Sequence, residues 1–170
     1  MVSGNEVSNK QILFRDYISG SPKETDMILS TTGTIKLEVP EGSNSVLLKN
    51  LYLSCDPYMR GRMTQSDSYV PAFVPWNLAN HRICCLRSVG FGKPQLQKAD
   101  YVWGFAGWEQ YSLIENPGML TKINYTDVPL SYYTGILGMT AYAGFNKLAS
   151  PKKEESVYVS AASGAVGQVV

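Results

Sequence analysis

The sequence predicts a mainly β domain, a small barrel or sandwich, followed by the beginning of an α/β unit. From Lys10 to about Tyr125, short apolar segments alternate with turns rich in glycine and proline, which is typical of antiparallel β structure. After Pro129 a helical stretch, an apolar segment and a glycine-rich turn follow one another. The apolar fraction of 44% is sufficient for a core. We therefore predict one domain over residues 1–128 and the start of a second over 129–170.

The strands predicted in the first domain are bounded by residues that interrupt β ladders. Pro40 lacks an N–H group and ends one strand, and a turn that begins at Glu41 separates it from the next. The last two predicted strands flank a turn over residues 104–109 and predict a hairpin. Asp56 followed by Pro57 predicts the start of a short helix. The predicted strands are residues 11–14, 34–39, 45–55, 101–103 and 110–114.

In the second unit, Ser131 is placed to cap a helix that runs, in two pieces broken near Gly138, to about Ala149. Pro151 prevents its continuation. Residues 157–162 are then predicted to form a buried strand that leads into the glycine-rich turn.

The turn has the spacing Ala-x-Gly-x-x-Gly over Ala162, Gly164 and Gly167, the dinucleotide-binding fingerprint with alanine in place of the first glycine. Small residues are needed there because the chain turns sharply and a pyrophosphate approaches the N–H groups at a helix N-terminus. On spacing alone, a strand-to-helix turn without any ligand is an equally good interpretation. The apolar strand in front of it modestly favours a nucleotide.

Charge and residue usage exclude several other functions. The 15 basic and 14 acidic residues form no long run, which argues against a nucleic-acid surface or a basic membrane patch. No apolar run approaches the ~18 residues of a membrane span and no secretory segment is visible, so we predict a cytoplasmic protein. His81 is the single histidine, and the three cysteines lack metal-ligand spacing, which predicts no metal site and leaves little material for a catalytic triad.

Four segments carry a family resemblance: NLYLSCDPYMRGRM (50–63), VWGFAGWEQY (102–111), GMTAY (138–142) and AASGAVG (161–167). They closely resemble the plant NADP-dependent alkenal (double-bond) reductases, which are zinc-independent members of the medium-chain dehydrogenase/reductase superfamily. The resemblance covers almost the whole chain but only the N-terminal half of the family's usual length. We therefore expect an N-terminal fragment that lacks most of its cofactor domain and is inactive by itself.

The resemblance implies a GroES-like barrel followed by the truncated start of a Rossmann domain, with NADP(H) in the cleft between the two. The implied reaction is hydride transfer from NADPH to the β-carbon of an α,β-unsaturated aldehyde or ketone, followed by protonation of the α-carbon. The implied partners are that small-molecule substrate and, for the full-length protein, a second copy in a homodimer, with neither nucleic acid nor membrane.

Tyr52 is the side chain assigned to catalysis. Strand alternation places it with Asn50 and Ser54 on the more polar face, where its phenol can donate a hydrogen bond. The residues alone favour a half-buried tyrosine bonded to backbone, whereas the resemblance assigns Tyr52 to contact with substrate and cofactor. The opposite face takes Leu51, Leu53 and Cys55. The resemblance also assigns cofactor contacts to Met139, Thr140, Ser163, Gly164, Ala165, Val166 and Gly167, ordinary helix packing being the alternative for the first two.

Four other side chains have structural interpretations. Arg60 and Arg62 are expected to face solvent rather than phosphate, and Trp103 and Trp108 are expected to be hairpin and core residues. Residues 76–92 differ from the family pattern although both flanks stay in register. A pair of compensating reading-frame shifts is our hypothesis for this segment, and genuine divergence is the alternative.

Two other functions fit the same sequence. The chain is alternatively a non-catalytic, shortened product that acts as a binding module. It is also compatible with a quinone or allylic-alcohol oxidoreductase of the same superfamily, because the residues that distinguish these substrates lie downstream.

Overall fold

Antiparallel pairs make up the β structure of the computed structural model, which describes residues 6–68, 70–79, 82–91, 99–125 and 127–170. The strands are β1 (Glu6–Ser8), β2 (Gln11–Phe14), β3 (Met27–Ser30), β4 (Thr34–Lys36), β5 (Val46–Leu53), β6 (Arg82–Phe91), β7 (Tyr101–Ala106), β8 (Tyr111–Ile114) and β9 (Thr121–Lys122). A five-stranded sheet has the order β8-β5-β6-β7-β9, and two further pairs join β1 to β4 and β2 to β3. The α-helices are α1 (Tyr58–Arg62) and α2 (Ile136–Tyr142), and α2 continues as a π-helix over Ala143–Ala149. Short 3-10 helices cover Glu24–Asp26, Pro117–Met119, Leu130–Thr134 and Gly167–Val169.

One apolar face of the five-stranded sheet forms the main core. Its buried side chains come from three adjacent strands, because residues directly opposite in antiparallel pairs share a face. In β7, strict alternation of buried and half-buried residues shows the two-residue period of a half-covered strand. The members of this cluster are Val46, Leu48, Leu86, Val102 and Ala106.

The predicted hairpin between residues 101–103 and 110–114 is wrong. β7 pairs with β6 and β9, whereas β8 pairs with β5 at the opposite edge of the sheet. β7 also continues to Ala106, and the residues after it bond to the N-terminal strand, the N–H of Ile12 donating to the carbonyl oxygen of Trp108 at 2.7 Å. The sheet-rich character is confirmed, but within the described residues the sheet stays open, with β8 and β9 as its edges, and no closed barrel is found.

A second, smaller core joins the β2–β3 hairpin to α1. Phe14, Met63 and Phe73 are buried together, and the Phe14 and Phe73 rings are 5.7 Å apart. The predicted capping of α1 by Asp56 is wrong: Pro57 occupies the cap position without a side-chain bond, and the helix has only five residues. The Asp56 carboxylate instead accepts a 2.7 Å hydrogen bond from the Ser54 hydroxyl, which competes with capping.

Arg62 contradicts the expectation that it faces solvent. Its guanidinium lies 4.2 Å from the centre of the Phe73 ring, and Nε donates to the Pro71 carbonyl oxygen at 2.8 Å. Burial lowers the pKa of Arg62, and the neighbouring Tyr58 partly opposes this effect. An arginine remains cationic at neutral pH, so the stacking is a cation–π contact. Arg60 does lie at the surface, as expected.

The helix after Pro129 is confirmed, with two corrections. A 3-10 helix precedes α2, the break falls at Gly135 rather than Gly138, and Ser131 provides no side-chain cap. The helical stretch ends at Ala149, and Ser150 takes left-handed φ and ψ directly before Pro151.

The buried strand predicted over residues 157–162 does not form. Val157 and Tyr158 are 48% and 89% exposed, and these residues have no strand pairing. A parallel central strand is stable only between neighbouring strands with both faces covered, and no described residue supplies such neighbours. The start of a Rossmann sheet is therefore not present in the described structure.

The segment that departs from the family pattern contributes the middle of the sheet. β6 pairs with β5 on one side and with β7 on the other, and Leu86 lies in the main core. His81 lies outside the described residues. Within the part of the chain that the structure describes, none of the helices has the length and apolar character required to traverse a bilayer.

Candidate functional site

The end of β5 and the residues after it lie between a surface with two cavities and a surface that carries the exposed Tyr52. On one side lie two adjoining cavities of 230 Å³ and 680 Å³, both lined by Ile12, Leu29 and Trp108. The smaller is also lined by Leu51 and Leu53. Tyr52 lines neither cavity and is 47% exposed.

A β-bulge explains why Tyr52 lies on the other side. Asn50 pairs with Leu86 and Tyr52 pairs with Cys85, so Leu51 is an extra residue without a partner. Adjacent residues of β6 lie on opposite faces, and their partners therefore do so too. The prediction that Tyr52 shares a face with Asn50 is wrong, because strict alternation is broken between them.

The Asn50 side chain holds the loop that follows β7 in place through hydrogen bonds. Its Nδ2 atom contacts the carbonyl oxygens of Gly107 at 3.2 Å and Glu109 at 2.6 Å, and the Ser112 hydroxyl at 3.2 Å. Gly107 in this loop packs directly against Leu78, since a Cβ there would overlap the end of the Leu78 side chain. The loop thereby holds Trp108 in the wall of both cavities.

A half-buried polar network around the Glu109 carboxylate fixes the same loop to the N-terminal strands. Oε2 accepts hydrogen bonds from Asn9 Nδ2 and Gln11 Nε2, both at 3.0 Å. Oε1 accepts from the Ser112 hydroxyl at 2.8 Å. Asn9 also bonds to the backbone of Tyr111 through both its amide atoms. All these donors are neutral, so the network positions the carboxylate without an ion pair.

The larger cavity lies between the β2–β3 hairpin and α1. Its buried lining residues are Met59, Met63 and the acidic Asp56. Cys55 lines it as an exposed free thiol. Arg60 lies at its margin and Nη2 donates to the Gly20 carbonyl oxygen at 2.6 Å, which attaches the loop after β2 to α1.

The glycine turn folds back on itself. The Gly164 N–H donates to the Ala161 carbonyl oxygen at 2.9 Å, and the Gln168 N–H donates to the Gly164 carbonyl oxygen at the same distance. A Cβ at Gly167 would overlap the Ala161 carbonyl oxygen and lie 2.9 Å from the Ala162 Cα. Only glycine fits at position 167, which is the third position of the fingerprint, where glycine is required for close packing against the preceding segment.

The structure brings some of the predicted site residues together. α2, which carries Met139 and Thr140, contacts the 3-10 helix that begins at Gly167, so these two helices are neighbours. The preceding 3-10 helix, Leu130–Thr134, contacts β5 and β6.

Sequence reasoning missed the residues that line the cavities. Trp108 was interpreted as a core or hairpin residue, yet it lines both cavities. Met27 and Leu29 lie in β3 and Met63 follows α1, and no spacing pattern connects these two distant segments. Within the described residues there is also no group of three or more histidine, cysteine or acidic side chains that could hold a metal ion.

Comparisons with known proteins identify the type of chain. A family profile described as the N-terminal domain of oxidoreductase matches residues 10–123. A tobacco (Nicotiana tabacum) protein named NADP(+)-dependent 2-alkenal reductase is 56% identical over 97% of this chain and 49% of its own length. (+)-Pulegone reductase of Mentha piperita is 47% identical over 96% of this chain and 49% of its own length.

A solved structure supports the same relationship. The crystal structure of CurA from Vibrio vulnificus in complex with NADPH matches with a TM-score of 0.77 and 25% sequence identity, covering 94% of this chain and 47% of CurA. The chain spans about half the length of the curated relatives it matches.

Proposed function

Because the chain belongs to the family of oxidoreductase N-terminal domains, we propose that the whole protein uses NADPH to reduce the carbon–carbon double bond of α,β-unsaturated aldehydes and ketones. The observation that carries this proposal is the 56% identity to a protein named as an NADP-dependent 2-alkenal reductase. In this proposal residues 1–128 are the GroES-like catalytic domain and 129–170 begin the nucleotide-binding domain.

The glycine turn fits a bound dinucleotide. Ser163, Gly164, Ala165, Val166 and Gly167 form a turn without bulky side chains, and its last glycine is required by the close approach of the backbone. Such a turn can present N–H groups to a pyrophosphate. Met139 and Thr140, on the helix that contacts this turn, would contact the nicotinamide end of the cofactor. When bound, NADPH supplies the hydride.

Tyr52 would act on the substrate carbonyl. Its side chain is partly exposed at the end of β5 and lies outside the cavities, so its hydroxyl can reach a ligand on that side of the sheet. By donating a hydrogen bond to the carbonyl oxygen, the phenol would stabilise the negative charge that develops there when the β-carbon is reduced.

The test requires the complete protein. We expect it to bind NADPH and to oxidise it in the presence of trans-2-hexenal, measured by absorbance. Tyr52→Phe should lower kcat/KM by about one hundredfold, the usual effect of removing one donor to a developing oxyanion. Tyr125→Phe is the matched control, since this tyrosine is 73% exposed and has no assigned role.

Each outcome bears on a different part of the proposal. A complete protein without affinity for NADPH would refute the function. Normal binding with quinone reduction and no enal reduction would transfer the function to the quinone oxidoreductases. Equal kcat/KM for the Tyr52→Phe and Tyr125→Phe variants would refute the role of Tyr52 alone.

Three finer statements belong to the same proposal. We propose a zinc-independent, cytoplasmic enzyme that acts as a homodimer on small molecules. Its support is the family resemblance together with the absence of metal-ligand spacing among the cysteines. Metal analysis, cell fractionation and light scattering of the complete protein test these points separately.

A further inference from the structure

The proposed function assigns the substrate contact to Tyr52, which lines neither cavity, so the separation of the cavities from the reductase site rests on that proposal. We propose that the larger cavity is a separate binding site for a small, uncharged and largely apolar molecule. Its volume of 680 Å³ lies in the range of about 300–1,000 Å³ that is usual for small-molecule sites.

The interior of the cavity suits an apolar ligand of variable shape. Three methionines line it: Met59 and Met63 are buried, and Met27 is half-buried beside them. Methionine is unbranched and polarizable, so it adapts to different apolar surfaces. Ile12 and Trp108 add rigid apolar walls.

The charges around the cavity favour a neutral ligand. Lys23 and Arg60 are balanced by Glu24 and Asp56, so the lining carries no net charge. The Asp56 carboxylate already accepts a 2.7 Å hydrogen bond from the Ser54 hydroxyl at Oδ2. A cationic or anionic ligand would gain no net Coulomb attraction and would lose its hydration, whereas a ketone or hydroxyl group can bond to the polar groups at the margin.

Cys55 provides a direct readout of occupancy, because its thiol is exposed and lines this cavity. The experiment measures the rate at which iodoacetamide alkylates Cys55 in the complete protein, followed by mass spectrometry of the Cys55 peptide. The probe is 2-octanone, a saturated ketone that does not react with thiols, and 2-butanone is the short-chain comparison. We expect saturable protection, with affinity rising by up to about fourfold for each methylene group.

Leu29 offers the specific variant, since it is 60% exposed and its substitution leaves both cores intact. Leu29→Asp places a charge in the wall and should abolish protection, whereas Leu29→Trp should reduce it by bulk alone. Val74→Asp is the matched control: Val74 is 58% exposed and lines neither cavity, so protection should persist.

Absence of protection in the unsubstituted chain, or equal protection in the Leu29→Asp and Val74→Asp variants, would overturn the proposal. Equal affinity for 2-octanone and 2-butanone would do the same, because it would show that apolar burial contributes nothing. The measurement needs neither NADPH nor an enal, so its result is independent of the proposed reductase function.

Discussion

The Glu109 network gives a prediction whose size follows from counted hydrogen bonds. Glu109→Gln keeps the shape of the side chain but replaces one acceptor oxygen by an NH2 group. If that group takes the Oε2 position, it faces two donors, Asn9 Nδ2 and Gln11 Nε2. If it takes the Oε1 position, it faces the Ser112 hydroxyl, which already accepts a hydrogen bond from Asn50 Nδ2.

In either orientation the variant loses the charge assistance of three hydrogen bonds and at least one bond outright. Bonds to a charged group contribute about 1.5–3 kcal/mol each and neutral ones about 0.5–1.5. Since Glu109 is half-buried, we expect a loss of about 2 kcal/mol in the free energy of unfolding. For a chain of this length, that corresponds to a decrease in Tm of roughly 4–8 °C.

Thermal and urea unfolding followed by circular dichroism measure this difference. Glu115→Gln is the matched control, because Glu115 is exposed and undergoes the same chemical change. If the two variants unfold at the same midpoint, the carboxylate does not stabilise the loop, and the account of how Trp108 is held in the cavity wall is wrong.

Three further predictions concern the core, α1 and the glycine turn. Leu86→Ala should lower the free energy of unfolding by about 2–5 kcal/mol in urea, since Leu86 is fully buried in the main cluster; a loss below that of an exposed Leu113→Ala change would contradict this. Arg62→Lys should lower the free energy of unfolding by about 1–2 kcal/mol, because lysine cannot stack flat on Phe73 and also bond to Pro71. The control Arg60→Lys should change the urea midpoint little, and equal losses in the two variants would refute the stacking argument. In the complete protein, Gly167→Ala should weaken NADPH binding by about tenfold or more in a fluorescence titration. Gly144→Ala, where the added methyl group meets open space, should leave the affinity unchanged. Unchanged affinity in both variants would show that the turn is not part of the cofactor site.

Local patterns predicted some strands correctly but not the helix caps at Asp56 and Ser131. β2 has the predicted bounds because alternation and flanking polar residues determine it. The pairing of residues 101–103 with 110–114 could not be judged in this way, because both segments find partners in β5 and β6, which are distant in sequence. The strand over residues 157–162 was predicted from apolar composition alone, and a parallel strand depends on neighbours that composition does not supply.

The candidate site was predicted only where a sequence motif carries it. The glycine spacing identified the turn around Gly167, and the structure supplies the physical reason for that glycine. The position of Tyr52 depends on the bulge at Leu51, which no residue type signals. The cavities could not be predicted from the sequence for a similar reason, since their walls come from segments that meet only after folding.

The unpaired Leu51 has a consequence for how this stretch tolerates changes in length. Everything after it, up to α1, is turned over relative to the strand that precedes it. Deleting that one amino acid would restore regular pleating and exchange the faces of Tyr52 and Leu53, which turns the phenol towards the smaller cavity that Leu53 lines. Loss of a single codon would thus exchange the faces on which the side chains after Leu51 lie, which is a larger disturbance than most substitutions at the same position.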